Sequence, residues 1–178
     1  MNPIRLAPLR RALDIDLDLC VRCNRLAAFE PPRRFFAHVS RLGDGVFWYT
    51  LILLLPVLYG VEAIPVSLQM SATGIAGLLV YKLLKSRTLR QRPFQVTPAI
   101  RAGTAPLDHF SFPSGHTLHA VGFSTVALGH YPELAWLLVP FTALVMASRV
   151  VLGLHYPSDV IAGALLGASI AHLSFRVL

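Results

Sequence analysis

Three short polar stretches in an otherwise apolar chain carry residue types suited to handling phosphate. K-S-R-T-L-R-Q-R-P runs from Lys85 to Pro93, P-S-G-H from Pro113 to His116, and S-R-V-V-L-G-L-H-Y-P-S-D from Ser148 to Asp159. Among their cations, Lys85, Arg92 and Arg149 together suit an anion, and an arginine can grip two phosphate oxygens at once. Arg149 lies inside an apolar run, where an unpaired charge costs about 2.5–3.5 kcal/mol on insertion scales. Taken alone it also fits an arginine snorkelling to the headgroups. Pro113-Ser114-Gly115 reads as a helix entry. Ser114 can cap the helix, Gly115 lets backbone come close to a ligand, and the open N–H groups favour an anion. A plain cap accounts for that stretch equally well. His155 and Asp159 are four residues apart, with Pro157 acceptable in a first helical turn. Asp159 can turn back to accept from one ring nitrogen of His155, leaving the other as a nucleophile. A capping aspartate beside an interfacial histidine is the alternative.

A metal site is the competing chemistry. His116 and His119 are one helical turn apart, and Asp108 or His109 could join them. Pro113 intervenes, so those two have no fixed geometry toward the pair. Cys20 and Cys23 form a lone C-x-x-C, half a zinc site, with no second pair to complete it. They read as two small residues on a surface helix.

The elements that must position these residues are membrane helices. The chain has 178 residues, 54% hydrophobic and 14% charged, against about 25% charged in ordinary soluble domains. Apolar runs predict spans at Val46–Ala63, Val66–Leu84, His116–His130, Leu134–Leu154 and Ser158–Val177. The His116–His130 run is short for a ~20-residue crossing. Gly163 and Gly167 in the last run permit close helix packing. The fold expected is therefore all-α: an integral membrane bundle of about five transmembrane helices plus an N-terminal interfacial helix, in a single domain over residues 1–178. In up-down order, all three polar stretches reach the same side of the membrane.

Residues 1–45 form a basic segment with eight arginines: Arg5, Arg10, Arg11, Arg22, Arg25, Arg33, Arg34 and Arg41. Its L-D-I-D-L-D-L alternates like a strand, yet it also puts Leu13, Leu17 and Val21 on one helical face. An isolated strand at a membrane surface has no partner, so an amphipathic helix ending before Pro31-Pro32 is expected. The first long apolar run begins after Gly45, too late for a cleaved leader. The net charge of +7 does not line one solvated face. It fits anionic lipid or a phosphate substrate rather than nucleic acid. The hairpins near Glu62 and Pro132 lack Lys and Arg, so positive-inside bias turns the polar stretches toward the cytoplasm.

Together, K-x6-R-P, P-S-G-H and S-R-x5-H-x3-D resemble the signature of the type 2 phosphatidic acid phosphatase (PAP2) superfamily, every element present and in order. The resemblance implies a metal-free, cofactor-free membrane phosphatase acting on a lipid phosphate. Undecaprenyl diphosphate, phosphatidylglycerophosphate and phosphatidic acid are substrates of that class. His155 would attack phosphorus and form a phosphohistidine, Asp159 would orient it, and His116 would protonate the leaving oxygen. Lys85, Arg92, Ser114, Gly115 and Arg149 would hold the phosphoryl oxygens. The family also includes soluble vanadium haloperoxidases, in which vanadate takes the phosphate site. This chain is too short and apolar to resemble those as a whole. The rival readings are a non-catalytic lipid-phosphate binder or transport protein and a metal-dependent membrane hydrolase. His119 matches no motif position and is expected to be a packed or hydrogen-bonded neighbour.

Overall fold

The computed structural model describes residues 3–106 and 108–177, with side chains from Arg11 onward. Arg5 and Arg10 therefore lie outside the described side chains. Every regular element among the described residues is helical. They are α1 (Pro3–Asn24), α2 (Glu30–Arg41), α3 (Phe47–Tyr59), α4 (Ile64–Lys85), α5 (Pro93–Val96), α6 (Gly115–His130), α7 (Ala135–Val151) and α8 (Pro157–Val177). The alternating L-D-I-D-L-D-L segment is helical, as the lack of a strand partner requires.

Among the described residues, four stretches are long and apolar enough to cross a membrane: Glu30–Tyr59, Val61–Lys85, Pro132–Val151 and Pro157–Val177. The first differs from the expected Val46–Ala63. α3 alone has 13 residues, about 20 Å at 1.5 Å per residue. Its extra length comes from α2, which leads into it through a wide turn at Leu42–Val46. Asp44 and Gly45 are not helical there, and Gly45 has φ of 130°, a region glycine reaches without the clash a Cβ makes. α2 was not foreseen as a separate helix. Pro31 and Pro32 fill its first turn, where a missing N–H costs nothing. α6 has 16 residues, about 24 Å, but it spans most of the bundle. Its first turn lies at the motif end. Its last residue, His130, is 2.8 Å from Gln69 near the start of α4 and packs on Phe175 near the end of α8.

Apolar helices in lipid gain little from hydrophobic burial against each other, so close contact and interhelical hydrogen bonds hold them together. Trp48, Leu55, Met70, Phe123, Val126 and Leu138 form the buried centre. Ser67 donates to the Ile52 carbonyl at 2.7 Å, Gln69 to Ser174 at 2.9 Å, and Ser124 pairs with Thr142 at 2.7 Å. The tightest seam joins α6 and α8. A Cβ on Gly163 would stand 2.5 Å from the Ser114 carbonyl oxygen, and one on Gly167 would stand 2.2 Å from that of Leu118. Both obstacles are backbone and cannot swing aside. The absent side chains thus bring the first half of α8 directly against the first half of α6.

Gly167→Ala should destabilise the protein by about 1–3 kcal/mol, roughly 2–10 °C in melting temperature, and reduce activity by prising the two helices apart. Gly122 supplies the comparison, because a Cβ there meets nothing closer than 3.5 Å. Gly122→Ala should stay near wild type when both are melted in the same detergent.

Candidate active site

The three polar stretches converge at one end of the bundle. Lys85 ends α4, Arg92 precedes α5, Ser114 and His116 open α6, Arg149 lies in the last turn of α7, and His155 and Asp159 flank the start of α8. The backbone joins the second and third stretches directly, since the Ser114 N–H donates to the Asp159 carbonyl at 3.1 Å. Arg92, Ser114, Arg149, His155 and Asp159 are all buried. Ser114 stands at the N-cap position, but its hydroxyl pairs with that of Thr117 at 3.0 Å and caps no backbone N–H. Thr117 captures it because both side chains sit in the first turn against α8. Gly115 packs under the Tyr81 ring, which a Cβ would meet at 2.8 Å.

His155 has a defined protonation pattern. Arg92 Nη1 donates to the Leu154 carbonyl at 2.7 Å and points at His155 Nε2, 3.3 Å away. A guanidinium only donates, so Nε2 accepts and the ring proton belongs on Nδ1. Burial, then the charges of Arg149, Arg92 and Lys85, hold the imidazolium well below its usual range, so the ring is neutral near pH 7. His155 Nδ1 lies 3.7 Å from Asp159 Oδ2 and has no hydrogen-bond partner among the described residues. This corrects the expected close histidine–aspartate bond. Asp159 Oδ2 instead accepts from the Tyr156 N–H at 2.9 Å, and Oδ1 accepts from Arg90 at 2.6 Å. The aspartate caps its own helix and faces the ring from just beyond bonding distance.

Several partners were not evident in the sequence. In the sequence Asp108 offers itself only as a metal ligand, yet its carboxylate lies between two motif cations. Oδ2 is 2.6 Å from Lys85 Nζ and Oδ1 is 2.8 Å from Arg92 Nη2. Tyr81 also donates to Oδ2 at 2.5 Å. Burial alone would raise this carboxyl, but the bonds from Lys85 and Tyr81 and the neighbouring cations bring it down to about 2. Asp44, at the break before α3, lies 3.4 Å from His116 Nε2. Arg149 donates to the Ser40 hydroxyl from α2, so it is partnered within the protein and does not snorkel. Its Nε has no partner.

His119 and Cys20 resolve into packing roles. His119 Nδ1 is 2.9 Å from the Gly115 carbonyl and Nε2 is 3.2 Å from that of Gly74, so the ring ties α6 to α4. Cys20 is not a surface residue as expected. It is fully buried beneath the site and its thiol contacts the His155 carbonyl at 3.5 Å. Burial, helped by Asp16 and Asp159, pushes that thiol up to about 12. Among the described residues no three His, Cys, Asp or Glu side chains gather as a metal site.

One cavity of about 590 Å³ contains Lys85, Arg92, His116, Arg149 and His155 and continues between α3 and α4 past Trp48, Leu78 and Ile75 to Ser71 and Leu53. From Lys85 to Ser71 is about 21 Å along α4 at 1.5 Å per residue, most of the ~30 Å hydrocarbon thickness. Leu53 and Ile75 are 72% and 62% exposed on the outside of the bundle, so the apolar limb opens sideways.

Comparison with known proteins gives concordant results. The PAP2 superfamily pattern matches residues 66–178. The chain is 30% identical to an undecaprenyl-diphosphatase of Sulfolobus acidocaldarius, over 92% of this chain and 78% of that protein. It is 35% identical to the undecaprenyl-diphosphatase BcrC of Bacillus subtilis, over 72% of this chain and 66% of that protein. Among solved structures, Aquifex aeolicus LpxE superposes with a TM-score of 0.71 at 26% identity, covering 90% of this chain and 94% of the other.

The Asp108 carboxylate occupies the space between Lys85 and Arg92 that an oxyanion would need. Asp108→Asn should therefore tighten inhibition by orthovanadate several-fold, on the order of 1 kcal/mol for relieving one competing charge in a partly exposed site. Inhibition constants at neutral pH measure this. Weaker inhibition would show that the carboxylate serves to hold the two cations in place.

Proposed function

The chain belongs to the PAP2 superfamily, and its relatives here are hydrolases of phosphate esters or anhydrides; on that premise we propose that it dephosphorylates a long-chain lipid phosphate or diphosphate, with a polyprenyl diphosphate as the leading substrate. The observation that carries this reading is the continuous cavity. One end holds cations and histidines, and the other is an apolar limb open to the bilayer. A phosphorylated lipid has both parts, while a soluble phosphate ester would leave the apolar limb empty. The names of the relatives support the diphosphate.

The chemistry follows from the neutral His155. Its Nε2 lone pair attacks phosphorus in line, and the bond from phosphorus to the lipid oxygen breaks. His116 gives that oxygen a proton, releasing the lipid alcohol or lipid monophosphate. Lys85, Arg92 and Arg149, with the Gly115 N–H, hold the three phosphoryl oxygens, and the Ser114 hydroxyl would join them only by turning from Thr117. Phosphoryl transfer depends chiefly on such positioning and charge stabilisation. Asp159 faces the Nδ1–H and favours the cationic ring that phosphorylation creates. Water then attacks the phosphohistidine, His116 takes its proton, and phosphate leaves. No step in this sequence uses a metal ion. A non-catalytic binder would use the cations but has no need of His116 and His155.

Purified protein should release phosphate from undecaprenyl diphosphate within a panel of lipid phosphates, with no loss in chelator. His155→Ala should abolish turnover, and His116→Ala should lower it by about 10²–10⁴-fold, the usual worth of a general acid. Turnover by His155→Ala would overturn the nucleophile assignment. Chelator loss restored by zinc would favour a metal hydrolase, and tight lipid binding without turnover a binding protein.

The arginines of residues 11–41 lie on elements that pack at the site end, as Asn24 of α1 shows by bonding the Arg101 and Val151 carbonyls. Their positive-inside bias supports a site on the cytoplasmic side. α8 ends at the opposite face, so a C-terminal alkaline phosphatase fusion should be active in cells. An inactive fusion, with a fluorescent cytoplasmic reporter at the same place, would reverse this orientation.

A further inference from the structure

Arg90 lies in the first polar stretch but is not one of its motif positions, and its side chain is among the most constrained at the site. Nη1 donates to Asp159 Oδ1 at 2.6 Å and to the Ser158 hydroxyl at 2.7 Å. Nη2 donates to Asp16 Oδ2 at 2.6 Å. The face of the guanidinium lies 3.8 Å over the Tyr156 ring. Even its backbone is tied, since the Arg90 carbonyl accepts from the Ser111 N–H at 2.9 Å. Asp16, from the middle of α1, is 7% exposed and accepts from the Ser158 N–H at 3.0 Å and from the Ser158 hydroxyl. It therefore caps α8 from another helix while anchoring Arg90.

We propose that Arg90 and Asp16 are positioning residues that set the carboxylate of Asp159 against His155 and so couple the N-terminal helix to turnover. The proposal rests on the reading of His155 as nucleophile. Asp159 is fully buried, and a buried carboxylate without its counter-charge either takes a proton or turns toward another donor. Arg90 is that counter-charge. It holds Oδ1, and the Tyr156 N–H holds Oδ2, so the plane of the carboxylate is fixed. Oδ2 is thereby kept 3.7 Å from His155 Nδ1, where the cationic ring formed during phosphoryl transfer would be stabilised. Burial disfavours charge on Arg90, but Asp159 and Asp16 outweigh it and raise its pKa, so the counter-charge is permanent. Arg90 is not among the residues lining the cavity. It acts on substrate only through Asp159.

The test compares Arg90→Ala, Arg90→Lys, Asp16→Asn, Asp159→Asn, His155→Ala and the double variant Arg90→Ala/Asp159→Asn, all full-length and in one detergent. Phosphate release from undecaprenyl diphosphate gives kcat and KM, and orthovanadate inhibition reports the phosphate site. Arg90→Ala should lower kcat by about 10–100-fold, as losing an outer-shell partner does, with KM and vanadate affinity within about twofold. Arg90→Lys should recover part of the loss and Asp16→Asn should show a smaller one. The double variant should be no slower than Asp159→Asn, because both substitutions remove one unit. The conservative variants carry the test should Arg90→Ala not fold. Wild-type kcat in Arg90→Ala and Asp16→Asn, losses that multiply in the double variant, or a change in KM and vanadate affinity alone would each overturn the proposal while His155→Ala stays inactive. An active His155→Ala would remove the reading beneath it and the proposal with it.

Discussion

The cost of holding charge away from water governs this end of the bundle. Lys85, Arg90, Arg92 and Arg149 meet where apolar helices leave little solvent to screen them, and each is answered by a polar partner, Asp108 from the same connection for Lys85 and Arg92 and groups farther along the chain for Arg90 and Arg149. An unpaired buried charge costs several kcal/mol, so these partners are a condition for the cations to sit there at all. Asp16 comes from α1, Asp44 and Ser40 from the approach to α3, Asp108 from the loop before α6, and Asp159 from α8. The loops and the N-terminal helix are thereby fixed on the bundle, where Cys20, Ile100, Val150, Tyr156 and Val160 also pack as an apolar cluster, so charge pairing and apolar packing together assemble the site.

Pairing sets which groups meet, and backbone proximity sets how closely. Gly163 and Gly167 let α8 rest on the first turns of α6, and the Ser114 N–H then reaches the Asp159 carbonyl. A lipid solvent offers little hydrophobic gain for joining two apolar helices. Dispersion contacts at this separation and the backbone hydrogen bond are what hold the two histidine-bearing stretches together. The polar cross-links at Ser67, Gln69 and Ser124 secure the far half of the bundle in the same way.

Residue type and spacing made the motif residues and the helices that carry them legible in advance. Apolar runs of membrane length and a helix-entry turn are local signals, and Lys85, Arg92, Ser114, His116, Arg149, His155 and Asp159 do converge at one end of the bundle. The partners of these residues were less legible, because a partner is defined by a fold that spacing does not encode. Asp16 and Ser158 are 142 positions apart, and Ser40 and Arg149 are 109 apart. Asp44 sits in G-D-G, a pattern that marks a break in a helix more than a charge aimed at His116. The α2 helix was missed because Pro31-Pro32 reads as a terminator, although prolines suit a first turn equally well. The distance between His155 and Asp159 departed from expectation for a related reason, since Asp159 also caps α8, a competing demand that the i, i+4 spacing conceals.

The sideways opening between α3 and α4 changes what substrate concentration means for such an enzyme. On the proposed function, a lipid entering past Leu53 and Ile75, which line the cavity, would arrive by diffusion in two dimensions. The rate is then set by its mole fraction in the surrounding leaflet and not by its amount per volume of solution. Adding inert lipid would slow the reaction at constant total substrate, and a membrane patch enriched in the substrate would speed it without any change in the protein. Turnover would become a local measure of membrane composition, and the products would part by phase: the inorganic phosphate to water, the lipid product to the leaflet from which it came.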